Sequence, residues 1–366
     1  MCGEHPPRRM IAAATPRRRP ARPYYWGVAE RTQEAERGRV AGPETEGPDL
    51  GPRTVSYPYR RIQRPAATPT DGPDPYGNPD PAWLQIDWGQ HLRTVEVMGS
   101  TINYAEIGAG PAVVLVHGLG GSWQNWLENL PHLARSGYRA IALDLPGFGR
   151  SPLPPWELNM PAYGRLLDQF CVQLGLDRAA VVGNSMGGFI AAETAIAAPN
   201  WIERLVLVSA AGVSHATMRR EPVMVAGRML NLLNPIALHA NTKGLRRPGI
   251  RQLSFQGVFR HPQRIRRELL YEFSAHAIGT PGFLPALGAL TGYDLLHRLP
   301  RVEVPVLLIW GRDDLVVPAS DAVGYHQRLA DSRIEIFDDC GHVPMAERPV
   351  RFNRLLDQFL SAADPR

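Results

Sequence analysis

Ser185 stands in Gly183-Asn184-Ser185-Met186-Gly187, where the apolar run AAVVG (179–183) gives way to the alanine-rich run FIAAETAIA (189–197). A serine between glycines at a strand-to-helix junction can be a nucleophile. The glycines permit a tight turn in which the serine takes strained backbone angles and its Oγ stands clear of the chain. The helix that follows supplies unpaired N–H groups and a positive dipole end. The bland reading is a serine that caps a helix. A neutral hydroxyl attacks poorly without a base, so the chemical reading also demands a histidine, an acid and an oxyanion site.

Candidates for all three occur. His342 lies in DDCGHVPMAERP and Asp314 in WGRDDLVVP, each just after an apolar strand-like run. The chain order Ser185, Asp314, His342 is that of hydrolases built on a serine turn of this kind. The spacing Gly311-x-x-Asp314 selects Asp314 over its neighbour Asp313, which is expected to be solvated or locally hydrogen-bonded. The loop His117-Gly118-Leu119-Gly120-Gly121 follows AVVLV, and the N–H groups of Leu119 and Met186 are the expected oxyanion hole. His117 is expected to brace that loop. A dinucleotide-binding reading of the same loop would need glycine at position 123, which is Trp, and a P-loop would need Gly-Lys-Ser/Thr, whereas Lys243 precedes a glycine. No histidine pair has the spacing of a zinc site, so neither metal nor cofactor is expected.

The elements that must hold these groups are legible as periodicity. LRTVEV (92–97) and INYAEIG (102–108) alternate and predict two half-exposed antiparallel strands. AVVLVH (112–117), RAIALD (139–144), AAVVGN (179–184), RLVLVSA (204–210) and PVLLIW (305–310) predict strands covered on both faces, and the alternating RIEIFD (333–338) predicts one near an edge. YGRLLDQFCVQLGL and VRFNRLLDQFLSAA carry apolar residues at helical spacing. Strands alternating with helices predict an α/β fold with a mostly parallel central sheet and helices on both faces. The alternation breaks once, over residues 215–303, which predict a helical insertion holding MVAGRMLNLLNPIAL, PQRIRRELLYEF and PGFLPALGALTGYDLL. The expected organisation is thus a Pro/Arg-rich disordered extension (1–85), a first core part (86–214), a helical cap (215–303) and a second core part (304–366). Trp123, Trp126, Met224 and Phe273 are candidates to line a substrate pocket, with core packing the competing reading for each.

The chain has 366 residues and a formal net charge of +5. Residues 1–25 hold six arginines against one glutamate, which accounts for the whole excess. The rest has no charge bias that would point to nucleic acid. Residues 1–80 contain 14 of the 35 prolines, a composition that does not build a core. Three cysteines, none in a C-x-x-C pair, suit a reducing compartment, so a cytoplasmic location is expected. No run approaches the ~18 apolar residues of a membrane span. Composition leaves the oligomeric state open.

The HG loop, then LDLPGFGRS (143–151), then G-x-S-x-G, G-x-x-D and G-H resemble, in that order, the α/β-hydrolase fold family. The resemblance covers roughly residues 90–366 apart from the insertion, which falls where this family commonly carries a cap. It implies an acyl-enzyme mechanism on a small-molecule substrate. Serine at 185 disfavours the epoxide- and halide-handling members, which place aspartate there. The elbow GNSMGG resembles that of hydrolases cleaving carbon–carbon bonds in meta-ring-fission products, but the first loop reads HGLGG where theirs reads H-G-x-G-P-G. The expectation is an ester-type substrate with a hydrophobic acyl group. A carbon–carbon hydrolase and a small-molecule receptor on the same scaffold are the alternatives.

Overall fold

The computed structural model describes residues 74–214, 224, 245–275 and 280–362. Eight strands form one sheet: β1 (Leu92–Val97), β2 (Ser100–Ile107), β3 (Ala112–Val116), β4 (Arg139–Leu143), β5 (Ala179–Asn184), β6 (Ile202–Val208), β7 (Val306–Gly311) and β8 (Ser332–Phe337). Their spatial order is β1-β2-β4-β3-β5-β6-β7-β8. The β1–β2 and β2–β4 pairs are antiparallel and all the others parallel. Of the runs expected to be buried on both faces, every residue of β3, β5 and β7 is buried, and β4 and β6 are buried apart from half-buried polar residues near their starts. β8 is the edge strand that its alternation predicts. β2 differs from expectation in being mostly buried, because it lies between β1 and β4 rather than at the sheet margin.

Helices cover both faces. α1 (Leu130–Arg135), α2 (Met160–Gln173) and α3 (Met186–Ala197) precede the insertion. In the described residues between β6 and β7 the regular elements are helical, with α4 (Pro248–Phe255), α5 (Arg267–Ala275) and α6 (Phe283–Leu290) among them. α7 (Ser320–His326), α8 (Pro344–Glu347) and α9 (Pro349–Ser361) follow. One core layer packs α2 and α3 on the sheet through Leu166, Phe170, Phe189 and Ile190. The other packs α1 and α9 through Leu130, Leu133, Phe352 and Leu356. α3 is buried along its whole length, which is why its sequence lacks a polar face. The expected helix MVAGRMLNLLNPIAL lies outside the described residues except for Met224.

Packing begins before the composition changes. Tyr76 and Trp83, within the stretch expected to be an extension, are buried in the α1/α9 layer. Trp83 Nε1 donates to Glu128 Oε1 at 2.9 Å, and Asn78 Nδ2 donates to Glu128 Oε2 at 2.8 Å. Residues 1–73 of the expected extension lie outside the described residues. Among the described residues no helix is long and apolar enough to cross a membrane.

Candidate active site

Ser185 follows β5 directly and caps α3 with φ 54° and ψ −118°. That left-handed φ is costly for a residue with a Cβ and needs a surrounding structure that enforces it. The enforcement is visible. Ser185 N donates to Val208 O at 2.9 Å, and Ser185 O accepts from Phe189 N at 3.1 Å and from Ala211 N at 3.0 Å. Gly187 lies so close to the end of β3 that a Cβ there would stand 2.2 Å from Val116 O. A Cβ on Gly118 would stand 2.9 Å from Ser185 Cβ, so the HG loop presses against the elbow. Met186 is the first residue of α3, a position whose N–H has no intrahelical acceptor. Leu119 follows Gly118 on the opposing loop and is half-buried. His117 is fully buried, accepts from Leu145 N at 2.9 Å through Nε2, and its Nδ1 lies 2.7 Å from Gly118 O.

Asp314 and His342 come from the loops after β7 and β8, and the structure brings them together: His342 Nδ1 lies 2.8 Å from Asp314 Oδ2. Asp314 Oδ1 accepts from Val316 N at 2.8 Å and Val317 N at 2.9 Å. Both oxygens are thus engaged, and neither side chain is appreciably exposed. A histidine that donates from Nδ1 to a carboxylate carries its free lone pair on Nε2, the tautomer a general base requires. The loop of His342 is tied to the elbow through Asn184, whose Nδ2 donates to His342 O at 3.3 Å and to Val208 O at 3.1 Å. Ser185, Asp314 and His342 all follow the carboxyl ends of their strands, the rim at which α/β sheets carry ligands.

Asp313 points elsewhere. Its carboxylate lies 3.3 Å from Arg260 Nε and is mostly buried, so it is neither solvated nor paired locally, the two expected outcomes, but partners a residue of the insertion. Trp126 is fully buried, with its ring 6.5 Å from that of Phe352. Trp123 is buried beside Trp88, and its N–H donates to Asp144 Oδ1 at 2.8 Å. Both tryptophans belong to the α1/α9 core layer. Phe273 packs edge-on against Phe259 at 5.2 Å. Met224 is half-buried, and its chain neighbours lie outside the described residues. A cavity of about 380 Å³ lined by Asn78, Trp83, Glu128, His132, Arg354 and Asp357 contains none of the candidate residues. Among the described residues no cluster of three His, Cys, Asp or Glu could hold a metal ion.

Sequence reasoning overlooked Asn184 and Glu347. The signal for Asn184 was a polar residue ending a wholly apolar strand, and for Glu347 a carboxylate inside the compact turn that follows His342. Glu347 is fully buried and accepts from the N–H groups of Gly341 and Val343.

A mostly parallel sheet with this strand order and a strained serine after a central strand define an α/β hydrolase. The family model of the alpha/beta hydrolase fold matches residues 111–349, and the chain belongs to that family. It is 31% identical over 278 residues to a 2-hydroxy-6-oxo-6-phenylhexa-2,4-dienoate hydrolase of Comamonas testosteroni, covering 71% of this chain and 91% of that one. Among solved structures, a serine hydrolase involved in carbazole degradation aligns at TM-score 0.58 and 27% identity, over 74% of this chain and 98% of that one. A bacterial membrane phospholipase A aligns at TM-score 0.59 and 28% identity, over 76% and 88%.

Proposed function

We propose that the protein is a serine hydrolase that cleaves the carbon–carbon bond beside the 6-oxo group of a 2-hydroxy-6-oxo-dienoate, with Ser185 as nucleophile, His342 as base and Asp314 as its orienting acid. The observation that carries the catalytic part is the buried His342–Asp314 contact of 2.8 Å on a loop tied to the elbow of Ser185. The relatives named as dienoate hydrolases favour this substrate class over the ester expected from the HG loop, and the elbow GNSMGG agrees with them.

Ser185 Oγ attacks the 6-oxo carbon while His342 takes its proton, and the N–H groups of Leu119 and Met186 receive the oxyanion. For the carbon–carbon bond to break, the 2-hydroxy-dienoate first tautomerises to its 2-oxo form with a proton added at C5. The electron pair of the C5–C6 bond then leaves as a dienolate, which takes the proton His342 removed from Ser185, and water hydrolyses the acyl-enzyme with His342 again as base. Asp314 holds the imidazole and stabilises its cation. The insertion between β6 and β7 acts as the cap that covers the substrate, and Phe273 and Met224 contribute to its apolar surface. A cytoplasmic location fits a substrate of this kind.

An ester is the second reading. HGLGGSW departs from the H-G-x-G-P-G loop, and the phospholipase A, by its name an ester hydrolase, is 28% identical over 76% of this chain.

Labelling with a fluorophosphonate, followed by turnover of 2-hydroxy-6-oxo-6-phenylhexa-2,4-dienoate and of p-nitrophenyl esters, tests both readings. We expect label on Ser185, multiple turnover of the dienoate, and a loss of about a thousandfold or more in Ser185→Ala. Absence of label sinks the catalytic assignment. A preference for esters selects the second reading, and a single slow turnover of every compound selects a receptor.

A further inference from the structure

One carboxylate holds the main chain on both sides of His342. Glu347 Oε1 accepts from Gly341 N at 2.9 Å and Val343 N at 3.3 Å, and Oε2 accepts from Arg260 N at 2.8 Å and from the Tyr76 hydroxyl. The Tyr76 oxygen in turn accepts from His261 N at 2.8 Å, and Gly77 N donates to Glu347 O at 2.7 Å. His342 N donates to Val258 O at 2.8 Å. Groups far apart in the chain, the Tyr76 hydroxyl, the Arg260 N–H and the N–H groups of Gly341 and Val343, therefore meet on the side chain of residue 347, with the main-chain bonds of Gly77 and Val258 beside them. The ring of Tyr76 is fixed as well: the guanidinium groups of Arg348 and Arg264 lie 4.8 Å and 4.9 Å from its centroid. His261 packs edge-on against it at 5.2 Å.

We propose that Tyr76 and Glu347 are positioning residues that lock the loop of His342, so that the segment before the first strand is part of the active-site scaffold. The proposal rests on the catalytic reading of His342. Its physical basis is that a hydrogen-bonded network buried in low dielectric has steep penalties for any missing member. Tyr76 supplies a donor to Glu347 and an acceptor to residue 261, and phenylalanine supplies neither. Burial raises the Glu347 carboxyl, against the hydrogen bonds from Tyr76, Arg260, Gly341 and Val343, which favour its charged form. Burial and the adjacent Glu347 push the Tyr76 phenol well up, so Tyr76 keeps the proton it donates.

The test uses the full chain and the variants Tyr76→Phe, Glu347→Gln and their combination. Hydrogen exchange of residues 340–343 is read beside kcat and KM for the best substrate of the panel and the fluorophosphonate labelling rate. We expect Tyr76→Phe to remain folded, to speed exchange at 340–343, and to lower kcat and labelling by about tenfold with KM little changed. The double variant is expected to be no worse than Glu347→Gln, because Tyr76 acts through Glu347. Wild-type exchange at 340–343 in a folded Tyr76→Phe protein, or fully additive losses in the double variant, overturns the lock. If the unaltered protein takes no label on Ser185, the hydrolase reading fails, and exchange at 340–343 still decides the lock.

Discussion

The side-chain amide of Asn184 bridges two carbonyls, Val208 O at 3.1 Å and His342 O at 3.3 Å, from the position immediately before Ser185. The residue next to the candidate nucleophile thus sets the distance to the loop of the candidate base. Asn184→Ala removes both hydrogen bonds and leaves two buried carbonyls one donor short. We expect a loss of stability of about 1–3 kcal/mol in urea unfolding and a fall in turnover of at least about tenfold. Unchanged turnover in the folded variant would show that the bridge does not align the two loops.

The elbow carries strain that glycine relieves. At φ 54° and ψ −118° Ser185 is disfavoured by its Cβ, and alanine keeps that penalty. Ser185→Gly is expected to be more stable than Ser185→Ala by about 1 kcal/mol, after allowing for the greater unfolded-state freedom of glycine. Both variants are expected to lose labelling. Calorimetry decides: a lower Tm for Ser185→Gly than for Ser185→Ala would mean that the turn is unstrained.

The insertion is seated on the core by a glycine pair. Gly282 N donates to Gly147 O at 2.9 Å, and a Cβ on Gly147 would meet Gly282 Cα at 2.6 Å. Gly147 also has φ +85°, whereas Gly282 has φ −79°. Gly147→Ala therefore combines overpacking with backbone strain and is expected to cost about 2–4 kcal/mol. Gly282→Ala meets crowding alone and is expected to cost less. Chemical denaturation of the pair checks the order.

Asp339 should make stability acid-sensitive. Its carboxylate lies 2.6 Å from His261, 3.2 Å from Arg348 and 3.7 Å from Arg260. Burial works to raise its pKa, but the hydrogen bond and charge of His261 and the two guanidinium groups outweigh it and hold the carboxyl below its ordinary value. The charged form is thus the one that the fold prefers. Its contribution is fully present above the unfolded value, about 3.9 for an aspartate, and is lost as pH falls through the lower folded value. The stability gap between the wild type and Asp339→Asn is expected to shrink as pH falls from about 5 toward 3. A gap that stays constant over that range would remove the charge argument.

Each part of the site was legible to the extent that its cause is local. Ser185 could be read because the glycines around it and the change of periodicity lie within a few residues. Asp314 was separable from Asp313 by spacing, and the two carboxylates do diverge, one to His342 and the other to Arg260. Nothing local distinguished a pocket from the core for Trp123 and Trp126, since an indole at helical spacing satisfies either. Nor could composition mark the start of packing: residues 74–85 look like the proline-rich stretch before them, yet Tyr76 and Trp83 are buried.

Period-two and fully apolar runs, turn glycines and the order of motifs determined the sheet, the elbow and the family, because strand burial and backbone sterics act over neighbouring residues. Which side chains meet was decided by tertiary structure alone. Tyr76 and Glu347 are 271 positions apart, Asn184 and His342 158, and Asp314 and His342 28. Hydrogen bonds form over about 3 Å, and only the folding of the sheet brings such distant groups within that reach.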